Sequence, residues 1–206
     1  MSMKKEIITE RQREVLKIIY DNLITAGFPP SFSELKEKLN ISSNQSLLDI
    51  FSILEKNNFI NREAGSARGI KILKKGYRAI NAQPLAPIVG ATSAGGFIEA
   101  IEEVDAWKPL SKDVETLSND VMIVRVMGDS MIDANIKDED LILFKKTKEF
   151  SSGDIVLAQT PDGTTVKRFI SQDKPPYVFL KPENPKYPTI LFTDEMEMIG
   201  KMVKKL

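Results

Sequence analysis

The spacing of apolar residues changes once along this 206-residue chain, and that change limits the fold more than any single motif does. Up to Leu54 the apolar side chains recur at intervals of three and four, the period of a helix with one buried face. From Ile88 onward, short β-leaning runs are separated by Gly, Pro, Asp or Asn, which is the pattern of strands and tight turns. The stretch between has neither period, and its Gly and Pro residues read as a linker. We therefore expect a multidomain α+β protein: a helical domain over 1–74, a linker over 75–87 and a mostly antiparallel β domain over 88–206. Each half is long enough to bury a modest core of its own.

In the first part, Thr9 and Gln12 have the spacing of a capping box, and Val15, Leu16, Ile19, Leu23 and Ile24 follow on one helical face until Gly27. After Phe28-Pro-Pro30, Ser31 and Glu34 repeat the box, and Leu35 and Leu39 give a short second helix. Asn40-Ile-Ser42 makes a tight turn. A third helix starts near Ser42 or Ser43, buries Leu47, Ile50, Phe51 and Leu54, and stops at Asn57-Asn58. Two β-leaning runs, Phe59–Arg62 and Gly69–Leu73, then read as a hairpin.

Helix, turn, helix and hairpin in that order describe a winged helix-turn-helix, in which the third helix enters the major groove and the wing touches phosphate. Ser43, Asn44, Gln45, Ser46 and Asp49 are then the residues facing base edges, and Gln45 has the geometry to pair with adenine through two hydrogen bonds. Arg62, Arg68 and Lys71 are the candidate phosphate contacts. Charge agrees: residues 1–80 carry 14 Lys+Arg against 9 Asp+Glu, whereas residues 81–206 carry 15 against 20. A basic front and an acidic back suit a chain whose front alone meets a polyanion. A protein-interaction module with an ordinary solvated face is the competing reading.

In the second part, strands are expected over 121–127, 140–145, 154–159, 164–170, 177–181 and 196–203, with a hairpin turn at Pro161-Asp-Gly163. One strand runs through Val124-Arg-Val-Met-Gly-Asp-Ser-Met131 and leaves Ser130 just beyond a glycine turn. The chain has no cysteine and no histidine, which excludes Ser-His-Asp and Cys-His catalysis, disulfides and an ordinary zinc site. If Ser130 is a nucleophile, its base must be Lys, Asp, Glu or Tyr. Lys167, in Thr164-Thr-Val-Lys-Arg-Phe-Ile170, is the candidate, because burial disfavours an ammonium and leaves a neutral amine able to take a proton. A cation on a sheet surface is the plainer reading. Ile88-Val-Gly-Ala-Thr-Ser-Ala-Gly-Gly-Phe97 is a small-residue run that reads either as a continued linker or as a substrate segment held in the same chain.

Together these residues resemble the LexA repressor family, whose members join a winged helix-turn-helix to a Ser-Lys self-cleaving domain of signal-peptidase-like fold. Thr9–Pro30 is similar to the family's first helix and its Pro-Pro break, and Gly65-Ser-Ala-Arg-Gly69 to its wing. Val89-Gly-Ala-Thr-Ser-Ala-Gly95 resembles its cleavage segment, Val126-Met-Gly-Asp-Ser-Met131 its nucleophile motif, Thr165-Val-Lys-Arg168 its lysine motif and Pro182-Glu-Asn-Pro185 a further signature. The resemblance implies scission between Ala94 and Gly95 by Ser130, with Lys167 as base and the backbone N–H groups of Asp129 and Ser130 as oxyanion hole. It also implies a homodimer on double-stranded operator DNA, cleavage stimulated by a RecA filament on single-stranded DNA, and a DNA-damage regulon. No cofactor, metal or small-molecule substrate is implied, and no membrane: the protein is expected in the bacterial cytoplasm, on the nucleoid.

Ser42–Asp49 departs from the family's better-known base-reading pattern, so the operator sequence does not carry over. A prophage repressor of the same architecture and a Ser-Lys peptidase acting in trans are the alternatives. A DNA-binding regulator with a dead protease body would require Ser130 and Lys167 to lie far apart.

Overall fold

A computed structural model describes residues 8–62, 69–89, 104–111, 113–114 and 120–206. The chain divides into two compact units, Met1–Leu85 with Ala106–Asn119, and Ala86–Asp105 with Asp120–Leu206.

The first unit begins with α1 (Glu10–Ala26), α2 (Phe32–Lys38) and α3 (Asn44–Lys56). Both expected capping boxes form: Gln12 N–H donates to Thr9 Oγ1 at 3.2 Å, and Glu34 N–H to Ser31 Oγ at 3.3 Å. Gly27 ends α1 in the left-handed conformation, φ 82°, that a Cβ would disfavour. The core holds Val15, Leu16, Ile19, Leu23, Leu35, Leu47, Phe51 and Leu54. Ile24 does not join them: it is exposed, and Asn22 turns inward instead, donating from Nδ2 to Phe28 O at 3.1 Å. That bond satisfies the carbonyl left open where the chain leaves α1.

A two-stranded antiparallel wing follows, β1 (Ile60–Arg62) and β2 (Ile70–Ile72), with Ile60 opposite Ile72. Residues 63–68, which include Arg68, lie outside the described residues. The stretch 75–87, read from sequence as a linker, holds most of a fourth helix, α4 (Lys74–Ala79), and the start of β3 (Leu85–Val89). Gly76, which suggested a break, is instead a point of close approach: a Cβ there would lie 2.3 Å from Phe59 O. Tyr77 and Leu85 are buried in the same core as α1. The segment from Ala106 also belongs to this unit, where Trp107 Nε1 donates to Gly27 O at 2.8 Å and Leu110 is buried.

The chain continues in β4 (Val104–Pro109), β5 (Val121–Arg125), β6 (Leu141–Lys146), β7 (Ile155–Thr160), β8 (Gly163–Ser171), β9 (Val178–Lys181), β10 (Ile190–Leu191) and β11 (Glu197–Lys205). In the second unit the strands lie in the order β10-β9-β8-β7-β11-β6-β5-β3. Neighbours are antiparallel except β3 and β5, which run parallel with Ile88 opposite Ile123. Six strands fall within one or two residues of the sequence expectation; β3, β4 and β10 were not among those expected. The core of this unit includes Val89, Met122, Val124, Ile142, Phe144, Leu157 and Val166. Through this core, Val124 of β5, which leads into the turn carrying Ser130, packs with Leu157 of β7 and Val166 of β8, the strand that carries Lys167.

Candidate active site

The serine turn follows from how β5 ends. After Arg125, Val126 exchanges backbone hydrogen bonds with the Glu139–Asp140 segment, at 2.8 and 2.9 Å, and the chain turns at Gly128 with φ 86°. Gly128 N–H donates to Asp138 Oδ1 at 2.7 Å, which fixes the entry to the turn. Met131 is buried and anchors its exit, so Ser130 is held between a left-handed glycine and a core methionine. A 3₁₀ turn, Ile132–Ala134, leads away.

Lys167 stands on β8 opposite Val156 of β7 and is only 7% exposed. Its Nζ lies 2.8 Å from Ser130 Oγ, 2.9 Å from Thr165 Oγ1 and 3.0 Å from Val166 O. No carboxylate pairs with it among the described residues, and burial pushes its ammonium below the ordinary lysine range. These contacts suit a neutral amine, which has two hydrogens and one lone pair. Val166 O can only accept, and Thr165 Oγ1 can take the second hydrogen. The lone pair is then left for the Ser130 hydroxyl. The plainer expectation of a solvated surface cation does not hold at this position, because the lysine is enclosed.

Both groups line a cavity of about 230 Å³ whose walls include Val124, Met127, Leu157 and Tyr187. The neighbouring Asp129 carboxylate accepts from Tyr187 OH at 2.5 Å and from Asn184 Nδ2 at 3.2 Å. The tyrosine bond holds the Asp129 carboxyl below its ordinary range, and the same carboxylate pushes the Tyr187 phenol up. Asp129 N–H lies beside its own carboxylate and adds to that stabilisation. Ser130 N–H has no acceptor among the described residues. Thr165, Asn184 and Tyr187 were not singled out as site residues from sequence; Pro182-Glu-Asn-Pro185 marked the loop without giving its residues a role. Ala94 and Gly95 lie outside the described residues.

On the first unit, Ser43, Asn44, Gln45, Ser46 and Asp49 are all exposed at the start of α3. Ser43 caps the helix, accepting from Ser46 N–H at 3.5 Å, and Lys36 Nζ donates to Asn44 Oδ1 at 2.7 Å. Gln45 Nε2 donates to Asp49 Oδ1 at 2.8 Å, which fixes the orientation of its amide. Leu48 is 39% exposed on the same helix, an apolar group the sequence reading had not included. Arg62, expected at phosphate, is paired with Glu55 at 2.8 Å and lies over the Phe51 ring at 5.0 Å. Lys71 is half-buried, opposite Asn61 in the wing.

Known proteins agree with this division. A family model described as LexA DNA binding domain matches residues 5–69, and one described as Peptidase S24-like matches residues 87–203. The LexA repressor of Lactobacillus gasseri is 34% identical over 195 residues, covering 94% of this chain and 93% of that protein.

The chain belongs to the LexA repressor family.

The LexA repressors of Enterococcus faecalis and of a Geobacter species are each 35% identical, covering 94% and 96% of this chain and 92% and 96% of their own lengths. In this LexA-family chain the DNA-binding match takes in α1, α2, α3 and β1, and the peptidase match takes in Ser130 and Lys167. Among the described residues no helix is long and apolar enough to cross a membrane, and no cluster of carboxylates could hold a metal ion.

Proposed function

We propose that the protein is a transcriptional repressor of DNA-damage response genes that inactivates itself by cutting its own Ala94–Gly95 bond, with a RecA filament on single-stranded DNA favouring the cut. The single observation that supports self-cleavage best is the 2.8 Å approach of a buried Lys167 Nζ to Ser130 Oγ.

In this reading Lys167 takes the hydroxyl proton as Ser130 Oγ attacks the Ala94 carbonyl carbon. The oxyanion is met by backbone N–H groups of Asp129 and Ser130, with the Ser130 N–H free to give the larger share. Collapse breaks the bond to Gly95, whose nitrogen leaves with the proton from Lys167. Water then attacks the Ala94 ester, Lys167 again acting as base, and Ser130 is regenerated. Because nucleophile and substrate share a chain, no encounter has to be made, and restraint comes from geometry and protonation.

The cut would separate residues 1–94, of which we assign 1–74 to operator binding through α3 and the wing, from residues 95–206, the greater part of the 88–206 domain that we assign to cleavage and dimerisation. Loss of bivalent attachment then releases the operator. A cytoplasmic homodimer completes this reading. Incubation of the purified chain at mildly alkaline pH tests it: fragments of 94 and 112 residues are expected, and none from Ser130→Ala or Lys167→Ala. Intact wild-type protein after that incubation would overturn self-cleavage.

A further inference from the structure

The loop after β9 takes no part in the chemistry above, yet it holds the serine turn. Asn184 is 5% exposed, and both ends of its amide are used. Its Nδ2 donates to the Asp129 carbonyl at 3.0 Å as well as to the carboxylate, and its Oδ1 accepts from Lys186 N–H at 3.1 Å. Beside it, Glu183 O accepts from Asp133 N–H at 2.8 Å, while the Glu183 carboxylate is paired with Arg168, the neighbour of Lys167, at 2.6 Å. One short loop is therefore tied to the turn that carries the serine and to the strand that carries the lysine.

We propose, resting on the self-cleavage reading, that Asn184 is a positioning residue for the oxyanion site, aiming the Ser130 N–H by holding the Asp129 carbonyl. The reason is the planarity of the peptide group. The Asp129 C=O and the Ser130 N–H belong to one rigid amide and point in opposite directions, so fixing the first fixes the second. The other donor to that carbonyl, Ile132 N–H at 3.2 Å, comes from the same turn and rotates with it. Asn184 reaches in from 55 residues away and ties the amide to the rest of the fold. Tyr187 is different in kind: its hydroxyl holds the Asp129 side chain, leaving the peptide plane alone.

The test is the first-order self-cleavage rate of the full chain across a pH series, for wild type, Asn184→Ala and Asn184→Asp, with thermal unfolding measured alongside. Loss of a whole oxyanion donor costs about 10²–10³ in rate, so a misaimed one should cost roughly 10–100-fold at the alkaline plateau. The pH midpoint should stay in place, because the hydrogen bonds of Lys167 Nζ go to Ser130, Thr165 and Val166 and none goes to Asn184. Asn184→Asp keeps the side-chain shape and removes the donor, so the comparison survives if Asn184→Ala does not fold.

Asn184 variants cleaving at the wild-type plateau overturn the positioning role alone. A fall accompanied by a midpoint moving up toward the ordinary lysine range also overturns it, since that would mean an opened lysine site. A wild type that never cleaves removes the reading beneath the proposal and overturns both.

Discussion

Lys167 Nζ and Ser130 Oγ, 37 residues apart in sequence, stand 2.8 Å apart, and among the described residues no carboxylate is paired to the lysine. A base that works by being buried differs from one that works by being paired. Burial keeps the amine neutral, whereas a partnered carboxylate would hold it charged. The consequences are measurable.

The first concerns pH. Lys167 is pushed below the ordinary 10.5 by desolvation, and the proposed cleavage needs its neutral form. The rate should therefore rise about tenfold per pH unit below the folded-state pKa and level off before pH 10.5 is reached. A rate–pH profile still climbing there would show that the lysine is not perturbed.

Stability should carry the opposite signature. A depressed lysine pKa means that the folded state binds the proton less well than the unfolded state, so folding is penalised below the folded pKa and the penalty fades as pH rises toward 10.5. Lys167→Met should thus melt higher than wild type at neutral pH. The gap should close in alkaline buffer, and calorimetry at two pH values decides it.

Lys167→Arg separates a base from a mere cation. Guanidinium stays protonated at every accessible pH, so cleavage should fall by at least about 10²-fold. Residual cleavage near the wild-type rate, followed by gel densitometry, would rule out proton transfer to this side chain. Thr165→Val should be milder, with a loss of roughly fivefold, because it removes one of the two acceptors that orient the amine.

On the DNA side, Gln45 is oriented by Asp49 at the exposed start of α3. Gln45→Ala should weaken binding to the bound operator by about 1–3 kcal/mol while leaving binding to random duplex and the salt slope unchanged. Gel shifts on both duplexes at two salt concentrations provide the comparison.

Gly76→Ala should destabilise the first unit by about 1–3 kcal/mol, since its Cβ would meet the backbone oxygen of Phe59 at 2.3 Å. Thermal unfolding followed by circular dichroism measures it, and an unchanged midpoint would mean that α4 can shift away.

The periodic part of the fold was legible because local chemistry dictates it. Capping boxes at Thr9 and Ser31, the stop at Gly27 and the strands around Val124 and Val166 are decided by residues within a few positions of each other. α4 was missed because what makes Lys74–Ala79 a helix is long-range: Tyr77 packs into a core built mainly by α1, α2 and α3, and Gly76 presses on Phe59. Ile24 and Asn22 exchanged places for a similar reason, the inward side being set by an acceptor at Phe28.

By itself, then, the sequence determined which residue types were on hand: a serine after a glycine turn, lysines, and no histidine or cysteine that could serve in their place. It also determined the two periods that divide the chain. Tertiary structure alone decided that Lys167, one of many lysines, is the one desolvated against Ser130, and that Asn184 grips the peptide preceding that serine. Desolvation and the aim of a hydrogen bond are properties of the space around a group. In this protein that space is assembled from β5, β7, β8 and a loop that meet only once the sheet has formed.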